Sequence, residues 1–134
     1  MVDERFSEPL RNVMDQRNGF GHRQHVMLAW RYLVTTDQQT AQHWMRLAIR
    51  HVASAHGTPD RYHETLTTAW TQIVAAHNPG RVRETYDEFV SRCPDLLDKH
   101  LPERHFSPGV LYSPAARDHW VDPDLVPLPS SALS

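Results

Sequence analysis

Between His22 and Thr36 the apolar residues Val26, Ala29, Trp30 and Leu33 recur at spacings of three and four, which is the period of a helix with one buried face. Asp37 then offers an N-cap for a second helix running to about His56, with Gly57 as its stop. Thr58, Pro59 and Asp60 read as the opening of a third helix that reaches about His77 and ends at the tripeptide NPG. A fourth, from about Val82 to Arg92, stops before Pro94. No stretch carries the alternation of a strand. The expected fold class is therefore all-α, a small antiparallel helical bundle.

The pattern changes after the fourth helix, because eight of the ten prolines lie from Pro79 onward. Such a segment holds only short helical turns, and PDLLDKHL and SPAARDHW are the two candidates, with Ser113 as the N-cap of the second. The tail VDPDLVPLPSSALS is too rich in proline for regular structure and too apolar at Val121, Leu125, Val126 and Leu128 for a free linker. It is expected to wrap across the bundle. One helical domain then spans residues 1–134, with an irregular segment at 1–21, the bundle at 22–92, and short turns and wrap at 93–134.

A chain of 134 residues has room for one core, and a formal charge of −2 supplies no attraction to nucleic acid or an anionic membrane. No apolar run is long enough to span a bilayer, and MVDERFSEPL lacks the basic and apolar regions of a secretory signal. The expected location is the cytoplasm, and the single cysteine, Cys93, fits a reducing compartment as a buried, inert thiol. Ten histidines in so short a chain are the compositional oddity.

Their phase matters more than their number. At about 100° per residue, His22 and His25 share the stripe of Val26, Ala29 and Leu33. His63 falls in line with Leu66, Trp70 and Val74. His51 falls with Trp44, Leu47, Ala48, Val52 and Ala55, whereas His43 and His56 point away. Short loops would bring the start of the first helix, the end of the second and the start of the third to one end of the bundle. Inward imidazoles meeting from three helices are one way a bundle holds a transition metal, so His22, His25, His63 and His51 are the candidate ligands. A metal-free acid/base or ligand pocket, and core histidines each with its own hydrogen bond, are the alternatives. Glu64 is then either a first-turn acid favoured by the helix dipole or a proton shuttle beside the site. The HRQH spacing is not the HExxH arrangement of zinc proteases.

Taken together, FGHRQHVMLAW, RYHETLTTAW, LLDKHLPERHFSPGVLYSPAARDHW and DPDLVPLP resemble a family of small bacterial helical proteins over roughly residues 20–129. The positions that the resemblance singles out are His22, His25, His63, Glu64, His105, Ser113 and Asp124; His51 is not among them. It implies no particular activity. His105, in the irregular third, is a candidate further ligand or base.

An all-histidine ligand set favours copper or non-haem iron over zinc. With Trp30, Trp70, Tyr32 and Tyr62 as walls, the expected function is a metal-dependent oxidase or oxygenase acting on a small aromatic or amine, with Glu64 and His105 as catalytic residues. A zinc-dependent hydrolase and a non-catalytic ligand- or metal-binding module are the alternatives. The expected partner in each case is a small molecule.

Overall fold

The computed structural model describes residues 3–14, 21–80 and 82–130. The protein is all-α: seven helices and no strand occur among the described residues. They are α1 (Glu4–Met14), α2 (His22–Thr35), α3 (Gln38–Ala55), α4 (Glu64–Ala76), α5 (Tyr86–Arg92), α6 (Pro108–Leu111) and α7 (Pro114–Asp118). None of the described helices is long and apolar enough to cross a membrane.

Helix α1 lies in the segment expected to be irregular. Pro9 sits inside it and donates no amide, yet Leu10 and Val13 are buried and Phe6 packs on the core. The Phe6 ring stacks 5.8 Å from Tyr32, and the Tyr32 hydroxyl donates to the Phe6 carbonyl oxygen at 2.7 Å. Tertiary burial therefore holds a helix that local propensity disfavours.

Helices α2, α3 and α4 pack pairwise and form the main core. Asp37 caps α3 as expected, accepting from the Thr40 amide at 2.7 Å. Its buried face, however, is Ala41, Met45, Ala48 and Val52, while Leu47, His51 and Ala55 are exposed. The expected stripe is turned by about 60° at 100° per residue, because Leu47 outranks Ala41 in hydropathy although Ala41 is fully buried and Leu47 is 45% exposed. His51 consequently lies outside the core.

The loop after α3 also departs from the expected course. Gly57 takes a φ of +70°, the left-handed geometry that glycine adopts at a helix end. Pro59–Arg61 form only one 3-10 turn, and α4 begins later, at Glu64. Ten of the thirteen residues of α4 are buried, so this helix is enclosed on nearly every side. Its threonines tolerate that because their hydroxyls are paired: Thr71 donates to the Thr67 carbonyl at 3.0 Å, and Thr65 to the His119 carbonyl at 2.8 Å.

The last third is held by a second cluster in which Phe106 and Leu111 are buried against Ala69 of α4, with Trp120, Val121 and Leu128 packed around them. Ser113 caps α7 through the Ala116 amide at 3.2 Å. Leu125 and Val126 are 54% and 53% exposed, contrary to the expected apolar wrap. Their segment is held instead through the backbone, as the Leu125 amide donates to the His105 carbonyl at 2.9 Å. Phe106→Ala is accordingly expected to cost about 3–5 kcal/mol in urea unfolding, and Leu125→Ser under about 0.5 kcal/mol. Equal losses from both would show that the tail buries what these contacts assign to Phe106.

Candidate functional site

A cleft of about 380 Å³ opens where the start of α2, the end of α3 and the loop into α4 meet. His22, His25 and His63 all line it, the first two from the inner face of α2 and His63 from the residue that precedes α4. His51 does not, and His56 does. The rotation of α3 accounts for the exchange: His51 lies about 90° from the centre of the buried face and His56 about 50°.

Each imidazole is held differently. His22 donates from Nε2 to the Leu96 carbonyl at 2.8 Å and lies 4.5 Å from the Trp70 ring. Burial lowers its pKa. The His25 ring is enclosed, and that desolvation, with the neighbouring His22 adding to it, pushes its pKa down to about 4. It is neutral at physiological pH.

His63 is the N-cap of α4 rather than a residue of its inner stripe. Its Nδ1 accepts from the Leu66 amide at 3.0 Å, so the proton must sit on Nε2, which donates to the Leu111 carbonyl at 2.7 Å. Both nitrogens are committed, and burial lowers the pKa so that this neutral tautomer persists. A metal ion would have to displace one of these bonds.

Among the described residues no group of three or more His, Cys, Asp or Glu side chains is placed to hold a metal ion. The centre expected from His22, His25, His63 and His51 is thus not assembled: His51 is exposed, and His63 has no free lone pair to offer. Sharing a cleft is a weaker condition than converging lone pairs. The aromatic walls divide similarly. Tyr62 lines the cleft and Trp70 backs His22, but Tyr32 is buried against α1, and Trp30 belongs to a different cavity.

Glu64 is buried beside the cleft without lining it. Its carboxylate accepts from Tyr62 Oη at 2.6 Å, Arg46 Nε at 2.7 Å and Thr68 Oγ1 at 3.2 Å. Burial opposes its ionisation, but the bonds from Tyr62, Arg46 and Thr68 and the charge of Arg46 outweigh it, and the pKa is lowered. A carboxylate so saturated joins α3 to α4. His105 is likewise occupied away from the cleft: its Nδ1 donates to the Val126 carbonyl at 3.1 Å. Asp124 accepts from the Ser107 amide at 2.8 Å, and Cys93 is buried with its thiol pKa raised by desolvation.

The residues missed from sequence are Arg61 and His56, while Tyr62, expected as a wall, does line the cleft. Arg61 ends the 3-10 turn, is exposed, and takes part in none of the ion pairs among the described residues. The only available signal was its place in a proline-opened loop between two helices. No carboxylate lines the cleft among the described residues; Ile49, Val52 and Leu66 supply its apolar wall. Comparison of the chain with protein-family models, with curated proteins and with solved structures finds no match.

Proposed function

We propose that this is a small-molecule-binding helical protein whose histidine-lined cleft takes a small organic carboxylate. The observation that carries the reading is the lining itself: Arg61 brings a fixed positive charge to a cleft otherwise lined by histidines and apolar or hydroxyl side chains, with no acidic side chain among the described residues. The open first turn of α2 adds to the same sign, since Gly21 has no side chain with which to cap it. A guanidinium pairs a carboxylate through two parallel hydrogen bonds, and Ile49, Val52 and Leu66 suit an apolar body behind it. The volume, about 380 Å³, falls within the ordinary range for such sites.

A metal-centred oxidase would need His63 to surrender its Leu66 or Leu111 bond and further ligands to move inward. Carboxylate binding requires neither change. Benzoate is therefore expected to bind saturably by calorimetry and benzyl alcohol much more weakly. Arg61→Gln should reduce benzoate affinity about tenfold, the effect of losing about 1.4 kcal/mol, while His51→Ala leaves it unchanged. Equal affinity of parent and Arg61→Gln for benzoate would remove this reading.

A further inference from the structure

A cavity of about 420 Å³ opens beside the histidine cleft and, among the described residues, shares only Tyr62 with it. Arg50 enters it from α3, Pro59 and Asp60 from the 3-10 turn, and Arg117 and Asp118 from the end of α7. Four of the six described residues that line it are charged, two of each sign, so the cavity as a whole is neutral.

How the two guanidiniums are held matters more than that sum. Arg50 lies over the Tyr62 ring, with its guanidinium carbon 4.1 Å from the ring centroid. Arg117 donates from Nη1 to the backbone carbonyl of Asp60 at 3.1 Å. Both are positioned by neutral partners, and none of Arg50, Arg117, Asp60 and Asp118 enters an ion pair among the described residues. A cation–π contact uses the face of a guanidinium and leaves its in-plane N–H groups for an acceptor, and one bond to a carbonyl leaves most of the Arg117 donors uncommitted. The carboxylates of Asp60 and Asp118 add acceptors for a cation. An anion would gain from the arginines but meet two carboxylates, and a cation would meet the reverse. A molecule carrying both charges complements each sign. With only Pro59 and the Tyr62 ring uncharged in the lining, the cavity does not suit a large hydrocarbon body.

We propose that this cavity binds a small polar zwitterion of the class of free amino acids, its carboxylate facing the arginines and its ammonium group facing Asp60 and Asp118. All four charged side chains are exposed, so water and salt screen each pairing, and the affinity is expected to be about millimolar.

L-Glutamine is the probe; N-acetyl-L-glutamine lacks its cationic amine and L-glutaminamide lacks its carboxylate. Titration at low salt is followed through the arginine Nε–H resonances of a ¹H–¹⁵N spectrum, where Arg50→Gln and Arg117→Gln identify the two signals. Glutamine is expected to shift both saturably, and each derivative to bind about fivefold to tenfold more weakly. Arg50→Gln and Asp118→Asn, both at exposed positions, should each weaken glutamine by about threefold, the first read through the Arg117 signal. Raising the salt to about 0.5 M should weaken it further. Arg61→Gln, which alters the histidine cleft and not this lining, should change glutamine affinity by less than about twofold. No saturation by glutamine, or a derivative that binds as tightly as glutamine, would overturn the proposal. So would a larger loss from Arg61→Gln than from Arg50→Gln, which would put glutamine in the histidine cleft.

Discussion

Acidification from pH 7.5 to pH 5 is expected to remove about 2 kcal/mol of folding stability through His25 alone, rising to about 3 kcal/mol below pH 4. In the unfolded chain a histidine takes up its proton near pH 6.5, whereas in the fold His25 resists it until about pH 4. The unfolded state therefore binds more protons throughout that interval, and stability is full above about pH 6.5 and lost as the pH falls toward 4. His22 and His63 are lowered in the same direction and add to the loss. For His63 the reason is geometric as well as dielectric, because a protonated Nδ1 would face the Leu66 amide donor to donor and uncap α4. Urea unfolding at pH 7.5, 6 and 5, on the parent and on His25→Leu, measures this directly. The variant should show a flatter dependence than the parent. Identical parent stability at pH 7.5 and pH 5 would mean that these rings are solvated in the native state.

Glu64→Ala is expected to destabilise the protein by about 2–4 kcal/mol, more than any substitution within the cleft itself. The change leaves the hydroxyls of Tyr62 and Thr68 without their acceptor in a buried setting, at about 1–3 kcal/mol for each unpaired group. The guanidinium of Arg46 contributes less to the loss, since its side chain is 38% exposed and water can replace the carboxylate. Glu64→Gln keeps one carbonyl acceptor and should lose roughly half as much. A residue acting only as a proton shuttle would behave differently, with Glu64→Ala folding as stably as the parent. Denaturant midpoints for the three proteins decide between these roles.

The exchange of His51 for His56 shows what kind of inference failed and why. Apolar period located α3 within a residue at each end, but a helix with alanines, a methionine and a tryptophan distributed around it admits more than one plausible inner face. A phase error of about 60° was enough to move a histidine from the cleft to the surface. For α2 the stripe was narrower, and Val26 and Ala29 were indeed buried, with His22 and His25 in the cleft. Helix α1 was missed because Pro9 weighs against a helix locally, while its compensation comes from Tyr32 and Trp44, far along the chain.

By itself the sequence determined what depends on neighbours along the chain. The all-α class, the Asp37 and Ser113 caps, the stop at Gly57 and the inward phase of His22 and His25 all rest on contacts spanning a few residues. Tertiary structure alone decided the roles of the polar groups. His63 was legible as a residue near the cleft, but its Nε2 bond crosses 48 positions to Leu111, and its own backbone had to leave the helix before the ring could cap it. Glu64 similarly meets Arg46 from another helix, and His105 meets Val126 across an irregular segment. Hydrophobic burial is periodic and nearly non-directional, so a pattern reveals it; a hydrogen bond requires one donor at one angle from one acceptor, and only the packed chain supplies that pairing.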